Sequence, residues 1–414
     1  MPLPEVRYEL EYGQGSCYGP EEEAAALEVI RAGATGYGPQ NRAFERAFAD
    51  YCGVRHALAV SSGTAALQLA AIAASIGPGD EVITTPLSWI STANGAALRG
   101  ADVVFADIDP RTFTLDPEAV ARKITPRTRA IIAVHLYGQC CDMDALRELA
   151  SSHGILLIED CAHAPGAEYR GRKAGSMGDL AIFSFGQQKN MGTLGEGGMV
   201  VTNDDAFCDR MRSYRWLCCR GYQVQGKYGE IDPERRPMGK RYWHLEFEDV
   251  GYNLRMTDVQ AAVGLVQLRK LDALNARRVQ IAAQLTGLLE GTPGLTLPYE
   301  APGRKHVFHV YCVLLRPESG MSKEDFMWTL FEQKGVKPLN HYMPIHLTEA
   351  YRRRGHREGE CPVAEALFPQ YVSLPIHPRL TSEAVEYMAR SVREVVEASP
   401  AALATAAGKR DFHL

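Results

Sequence analysis

Hydrophobic and polar positions follow a block pattern along the first half of the chain. From about residue 51 to residue 203, short apolar runs alternate with segments whose apolar positions recur every three or four residues. Most of the runs are continuously apolar, which is typical of parallel strands that helices cover on both faces. We therefore predict strands at residues 56–60, 81–85, 102–106, 130–135, 155–159, 180–183 and 199–202.

Capping residues mark helices between and after these strands. We predict helices over residues 116–123 and 142–153, each preceded or begun by a residue type that caps helices. Residues 257–289 are predicted to form one long or broken helix that begins at Thr257 or Asp258. Its first half is apolar nearly all round, which indicates burial in the core or at a subunit interface.

The pattern changes after Gly291, where Pro293 and Pro298 interrupt it. We predict a large α/β domain at residues 1–270 and a smaller α+β domain at residues 271–414. The predicted parts of the smaller domain are an extended segment at 306–315, helices at 322–334 and 382–398, a Pro/His-rich stretch at 337–346 and a frayed tail from residue 400.

Composition narrows the classes of function. The net charge is -5 and no Lys/Arg-dense stripe is present, which argues against a nucleic-acid partner. Ten cysteines include two adjacent pairs but no CxxC pair, which favours reduced thiols in the cytoplasm and no metal site. Residues 57–77 lack ionisable side chains, but polar residues interrupt them, so we predict no membrane span.

Candidate chemistry centres on Lys189, which follows the apolar run at 180–183 and precedes glycine-rich residues 195–198. Upstream, Asp160 ends a predicted strand and His163 follows three residues later. Pyridoxal 5'-phosphate (PLP) needs a lysine for a Schiff base, an aspartate to keep its pyridine nitrogen protonated and a turn to hold its phosphate. These residues therefore predict a PLP site.

A second turn suits an anion. Residues 61–67 follow a predicted strand and open a helix, with a glycine and hydroxyl side chains at the junction. No Walker A pattern is present and no G-x-G-x-x-G follows a strand, which argues against nucleoside triphosphate and dinucleotide cofactors.

Six motifs follow one another along nearly the whole chain. They are Gly38-Pro39 with Phe44-Glu45 and Tyr51-Cys52-Gly53; Ser62-Gly63-Thr64-Ala65-Ala66-Leu67; Val134-His135-Leu136-Tyr137-Gly138; Glu159-Asp160-Cys161-Ala162-His163; Ser184-Phe185 with Lys189-Asn190 and Gly195-Glu196-Gly197-Gly198; and Gly251-Tyr252-Asn253-Leu254-Arg255-Met256. In this order they resemble the DegT/StrS-type sugar aminotransferases, a branch of the fold-type I PLP enzymes. The resemblance implies a mostly parallel central sheet flanked by helices, with a smaller C-terminal α+β domain.

The resemblance also implies roles for single residues around the cofactor ring. Lys189 would form the Schiff base, and Asp160 would pair with the pyridine nitrogen. His163 would pack on one face of the ring and Trp89 on the other. His163 stands where the family often has glutamine, and Trp89 where phenylalanine or tyrosine is more usual. Both changes preserve the ability to stack on the ring, but they alter the shape of the acceptor pocket.

Other residues would hold the phosphate and the substrate. Gly63, Thr64 and Ser184 would hold the phosphate of their own subunit. Asn253 would reach the phosphate of a neighbouring subunit, which implies a homodimer with shared active sites. The residues expected to face the substrate are His341, Tyr342 and His346.

The implied reaction is a two-step transamination with a small-molecule amino donor, L-glutamate or L-glutamine, and a keto sugar as acceptor. We favour a nucleotide-linked keto-deoxyhexose in amino-sugar and antibiotic biosynthesis, because Lys227, Lys240 and Arg241 could neutralise a diphosphate. A keto-cyclitol of the inosose type is the alternative acceptor.

Two other classes of function stay open at this point. PLP-dependent sugar dehydratases resemble this family but carry histidine in place of the Schiff-base lysine, whereas position 189 is lysine. A non-catalytic PLP-binding regulator is the third possibility. Such a regulator would not need the catalytic residues, and the sequence retains all of them.

Overall fold

The computed structural model describes residues 9–11, 15–33, 35–220 and 246–398. The predicted tail from residue 400 and the basic residues Lys227, Lys240 and Arg241 lie outside the described residues.

Strands of the described chain form one large sheet and several small ones. They are β1 (His56–Val60), β2 (Glu81–Thr84), β3 (Asp102–Phe105), β4 (Thr128–Val134), β5 (Leu156–Asp160), β6 (Glu168–Tyr169), β7 (Arg172–Lys173), β8 (Leu180–Ser184), β9 (Gly198–Thr202), β10 (Cys219–Arg220), β11 (Glu246–Phe247), β12 (Leu295–Thr296), β13 (Arg304–Lys305), β14 (Tyr311–Leu315) and β15 (Tyr371–Leu374). The large sheet has the order β1-β9-β8-β5-β4-β2-β3, and β9 alone runs against the other six strands.

Helices cover both faces of this sheet, and others pack in the C-terminal part of the chain. They are α1 (Pro20–Ala32), α2 (Pro39–Cys52), α3 (Gly63–Ala73), α4 (Ser91–Ala97), α5 (Pro117–Ala121), α6 (Met143–His153), α7 (Asp205–Arg215), α8 (Asp258–Leu289), α9 (Lys323–Lys334), α10 (Glu349–Arg352), α11 (Pro362–Leu367) and α12 (Ser382–Glu397). No helix in the described part of the chain is long and apolar enough to cross a membrane.

The predicted central sheet is confirmed. All seven predicted strands are present, with ends that differ from the prediction by no more than two residues. Their side chains are buried on both faces in two separate apolar clusters, which explains why the runs are continuously apolar. The fold is therefore a fold-type I α/β architecture with a mostly parallel sheet.

The extended segment predicted at residues 306–315 is only partly correct. A strand forms from Tyr311, and the residues before it bend across the end of β4. There the N–H of Val307 donates to Gly138 O (3.0 Å), and the N–H of Val310 donates to Tyr137 O (3.2 Å). These tertiary hydrogen bonds replace a strand partner over the first half of the segment.

Helix α8 is one continuous helix rather than a broken one. Thr257 caps it in a reciprocal capping box with Gln260. The helix packs against α1 and α2 of the large part and against α12 of the C-terminal part. It therefore runs across the predicted domain boundary at residue 270, and the division of the chain at that residue stays a prediction.

The parallel strands bring their carboxyl ends to one edge of the sheet. Ser184 ends β8 and Asp160 ends β5, while Ser88 and His135 follow β2 and β4. In α/β sheets this edge is where ligands bind, because several loops and helix N-termini converge there. Most of the sequence-predicted site residues meet at this edge.

Candidate active site

A cavity of about 600 Å³ lies at this carboxyl edge. Most of the predicted site residues line its wall, although they come from both halves of the chain. The predicted residues on the wall are Gly63, Thr64, Trp89, Asp160, His163, Ser184, Lys189, His341 and Tyr342.

Lys189 lines the cavity from the loop between β8 and β9. The next residue, Asn190, is fully buried and anchors the loop by donating to the Val307 carbonyl (3.1 Å). Burial lowers the pKa of Lys189 to about 8, against the opposing charges of Asp160 and Glu196. Far more of this amine is neutral at physiological pH than is the case for a free lysine.

Asp160 is held by two hydrogen bonds. Its Oδ1 accepts the N–H of Ala162 (3.1 Å), and its Oδ2 accepts the hydroxyl of Thr92 (2.7 Å). Burial raises the pKa of Asp160, while these hydrogen bonds and the charge of Lys189 act in the opposite direction. The sequence pattern did not mark Thr92 as a site residue, and its helical spacing from Ser88 was the available signal.

His163 presents a neutral ring to the cavity. Its Nδ1 accepts the N–H of Tyr137 (3.4 Å), so the ring proton lies on Nε2, which is 3.2 Å from the hydroxyl oxygen of Tyr342. The ring of His309 packs against it with centroids 4.2 Å apart. Burial, together with the charge of Lys189, lowers the pKa of His163 well below its ordinary value.

Trp89 contributes a second flat surface. Its side chain is 60% exposed, although it lines the cavity. Its indole meets the ring of Tyr342 edge-on, with centroids 5.9 Å apart. The exposed indole can therefore pack against the ring of a ligand.

The N-terminus of α3 forms one end of the cavity. The Ser62 side chain caps this helix by accepting the N–H of residue 65 (3.1 Å), and the N–H groups at the start of the first turn have no partner within the helix. The Thr64 and Ser91 hydroxyls lie 2.8 Å apart beside it. A Cβ atom added to Gly63 would stand 2.7 Å from the Cβ of Ser184, so this close approach requires glycine. Such a cradle suits a phosphate.

Two predicted site residues lie elsewhere. Asn253 is exposed, its backbone bridges Trp216, and its side-chain oxygen accepts from the guanidinium of Arg255 (3.3 Å). His346 is fully buried with its Nε2 2.8 Å from Glu365 Oε1. The structure does not bring His346 to the substrate wall, because its carboxylate partner holds the ring inside the protein.

Further polar residues line the cavity, and the sequence pattern did not assign them to the site. Glu196 could have been suspected from its place in the glycine-rich motif, and Thr92 from its spacing from Ser88. The further residues are Ser62, Ser88, Ser91, Thr92, Gln187, Gln188, Glu196 and Asn340.

These residues fit PLP. The N-terminus of α3 matches the phosphate, the carboxylate of Asp160 matches a protonated pyridine nitrogen, and the amine of Lys189 matches the aldehyde. His163 and Trp89 supply flat surfaces for the ring. The fold and this set of side chains define a fold-type I PLP-dependent enzyme.

Comparisons with known proteins agree. The profile of the DegT/DnrJ/EryC1/StrS aminotransferase family matches residues 16–393, so the chain belongs to that family. GDP-perosamine synthase of Caulobacter vibrioides is 41% identical over 354 residues, which cover 85% of this chain and 89% of the relative. The dTDP-3-amino-3,4,6-trideoxy-alpha-D-glucose transaminase of Streptomyces venezuelae is 40% identical over 378 residues, or 91% and 92% of the two chains.

Solved structures give the same result. Streptomyces venezuelae DesV, determined in complex with a ketimine intermediate, has a TM-score of 0.81 and 38% identity, and the match covers 91% of this chain and 94% of that one. Similar structures include both PLP and PMP forms. The protein is a PLP-dependent sugar aminotransferase that acts on small molecules.

Proposed function

We propose that this enzyme moves an amino group from L-glutamate or L-glutamine to a nucleotide-linked keto-deoxyhexose in amino-sugar biosynthesis. The observation that carries the chemistry is the cavity in which the Lys189 amine, the Asp160 carboxylate and the α3 N-terminus converge. The acceptor class is supported by the names of two relatives, which describe GDP-linked and dTDP-linked products.

The predicted residues that line the cavity each have a task in this proposal. Lys189 would hold the cofactor through Nζ, and its amine, when neutral, would act as the base that moves a proton. The Asp160 carboxylate keeps the ring nitrogen protonated. PLP, when bound, supplies an electron sink for the charge that proton removal leaves behind. His163 and Trp89 orient the ring, while Gly63, Thr64 and Ser184 hold the phosphate.

His341 and Tyr342 form the proposed acceptor wall. Burial, together with the charge of Lys189, lowers the pKa of His341 to about 4, so this histidine is neutral at physiological pH. Burial and the charge of Asp160 raise the pKa of Tyr342 above its ordinary value, so its hydroxyl stays protonated. Neutral hydrogen-bonding groups suit the hydroxyls and carbonyl of a sugar ring.

Charge supports a second candidate acceptor. Among the described residues that line the cavity, no arginine is present and Lys189 is the one lysine. A nucleotide diphosphate would need cations from outside this lining, for which Lys227, Lys240 and Arg241 are the proposed source. A keto-cyclitol of the inosose type needs none, and this observation favours it as the alternative.

We also propose a homodimer with shared sites. Asn253 is exposed and does not line the cavity of its own chain, as expected of a residue that reaches the phosphate in a second copy. The cytoplasmic location and a role in antibiotic biosynthesis stay predictions.

Absorbance spectroscopy tests the proposal in two stages. Purified enzyme with PLP is first mixed with L-glutamate, L-glutamine or L-alanine, and the donor is the one that converts the visible band to the near-ultraviolet band of pyridoxamine phosphate. That form is then mixed with GDP- and dTDP-linked keto-deoxyhexoses and with scyllo-inosose. Return of the visible band with a nucleotide sugar supports the proposal, and return with the inosose alone supports the alternative.

The negative outcomes are equally informative. A visible band that no donor changes would favour the non-catalytic regulator. Ammonia release with loss of a sugar hydroxyl would favour a dehydratase. Lys189→Ala is the control, because it removes the amine and should give neither band change.

A further inference from the structure

The hydroxyl groups of Ser88 and Thr92 form a hydrogen-bonded chain that ends at Asp160. Thr92 Oγ1 lies 2.7 Å from Asp160 Oδ2, and Ser88 Oγ lies 2.9 Å from Thr92 Oγ1. Ser88, Thr92 and Asp160 are 4%, 1% and 3% exposed. A turn in which the Thr92 N–H donates to Trp89 O (3.1 Å) opens α4 and places positions 88 and 92 on one side.

The direction of these hydrogen bonds follows from the carboxylate. An ionised carboxylate only accepts, so the Thr92 hydroxyl must donate to Asp160 Oδ2. The single proton of that hydroxyl is then used, and its oxygen accepts from the Ser88 hydroxyl. With the Ala162 N–H on Oδ1 (3.1 Å), both oxygens of Asp160 receive a donor from this chain. The arrangement is built for the charged form of Asp160.

We propose that Ser88 and Thr92 are positioning residues that keep Asp160 ionised and oriented for the pyridine nitrogen, and that they thereby strengthen PLP binding. The inference rests on the role proposed above for Asp160. It assigns to the segment after β2 a contribution to the nitrogen end of the cofactor, in addition to the ring surface of Trp89.

Because Asp160 is buried, the hydroxyl of Thr92 strongly affects whether this carboxyl is ionised. Desolvation raises the pKa of Asp160, and the Thr92 hydrogen bond is the largest of the effects that lower it. Without that hydroxyl, the buried carboxylate keeps a single N–H donor and takes up a proton more readily. A protonated Asp160 cannot pair with a cationic ring nitrogen, so the cofactor binds more weakly.

The test measures PLP binding to the apoenzyme, independently of turnover. Thr92→Val keeps the shape and removes the hydroxyl, and we expect the PLP dissociation constant to rise about tenfold. Thr92→Ser restores the hydroxyl and should stay within about twofold of wild type, while Ser88→Ala should fall between the two. Thr84→Val is the matched control: Thr84 is also buried and donates to Ile132 O (3.0 Å), but it does not line the cavity.

The pH profile separates positioning from a merely structural role. Because Asp160 protonates more readily in Thr92→Val, the loss of PLP affinity on acidification should move to higher pH in that variant and not in Thr84→Val. In an Asp160→Asn background, Thr92→Val should cause no further loss of affinity.

Three results would overturn the inference. The first is equal PLP affinity for Thr92→Val and Thr84→Val; the second is a Thr92→Ser variant as weak as Thr92→Val. The third is a full loss from Thr92→Val on top of Asp160→Asn. If Asp160→Asn itself leaves PLP affinity unchanged, the proposed role of Asp160 fails as well, which distinguishes the two failures.

Discussion

The pKa of Lys189 predicts how the apoenzyme takes up PLP. Only the neutral amine attacks an aldehyde, and burial lowers this pKa from 10.5 to about 8. The rate of covalent uptake should therefore rise with pH and reach half its maximum near pH 8. Glu196 opposes the shift, so Glu196→Gln should move the midpoint to lower pH. Stopped-flow absorbance checks this, and a rate that still rises toward the pKa of free lysine would contradict it.

The hydroxyl of Tyr342 should affect the half-reaction with the keto sugar and not the half-reaction with the amino donor. His163 Nε2–H lies 3.2 Å from its hydroxyl oxygen, which leaves the phenol proton available to an acceptor in the cavity. Tyr342→Phe should lower kcat/KM for the keto sugar by roughly tenfold, because a sugar oxygen loses its donor. The donor half-reaction should change little.

The control for this prediction is Tyr311→Phe. Tyr311 is also buried, and its hydroxyl pairs with Thr286 (2.8 Å) away from the cavity. Single-turnover rates of both halves, measured separately, decide the matter. Equal losses in the two halves for Tyr342→Phe would argue for a general structural effect.

Strand β5 carries two adjacent acidic side chains with different partners. Asp160 faces the cavity. The fully buried Glu159 accepts a hydrogen bond from Nε2 of His135 (2.8 Å) and from the N–H groups of Gly175 and Met177 (2.9 and 2.7 Å). Nδ1 of His135 accepts the N–H of the residue at position 141 (3.2 Å), so the proton of the neutral ring lies on Nε2.

Cys161 lies close enough to His135 and Glu159 to complete a metal-ligand group, but the Glu159 oxygens are already satisfied by these donors. The geometry therefore fits a hydrogen-bond network that anchors the strand.

This network predicts a pH dependence of stability. Burial acts to raise the pKa of Glu159, but the hydrogen bonds from His135, Gly175 and Gly178 lower it below its ordinary value of 4.5. The unfolded state therefore takes up a proton at a higher pH than the folded state. This contribution to stability is present above about pH 4.5 and is lost as the pH falls through the lower pKa of the folded state.

Glu159→Gln tests the network. It removes a charged acceptor from buried N–H groups and should lower the free energy of unfolding at neutral pH by about 2–3 kcal/mol. It should also flatten the decline toward acidic pH, as measured by urea unfolding at several pH values. Asp205→Asn is the control: it breaks the more exposed contact with His56 (2.6 Å) and should change stability little. An unchanged acidic decline in Glu159→Gln would refute the prediction.

The proposed dimer predicts complementation between two inactive variants. Lys189→Ala removes the catalytic amine, and Asn253→Ala removes the residue proposed to reach the other subunit. In a mixed dimer one site carries both defects and the other carries none. Random subunit exchange makes half of the dimers mixed, so activity should recover to about a quarter of the wild-type value. If mixing restores nothing while gel filtration demonstrates exchange, Asn253 acts within its own chain.

The sequence predicted the fold more completely than it predicted the cavity. Continuous apolar runs marked all seven strands of the central sheet, because burial on both faces leaves a strong local pattern. Motifs also located Asp160 at the end of β5 and Lys189 in the loop after β8. By contrast, residues 306–310 looked extended in the sequence, yet hydrogen bonds to the loop after β4 bend them.

Local patterns in the chain therefore established the sheet, its helices, the PLP chemistry and the family. Packing decided which distant side chains meet: Thr92 with Asp160, Tyr342 with His163, and His346 with Glu365 instead of the cavity. Periodicity and capping depend on residues that are close together in the chain, so they can be recognised in the sequence directly. A hydrogen bond between positions far apart in the chain depends on how whole elements pack, and no local pattern records it.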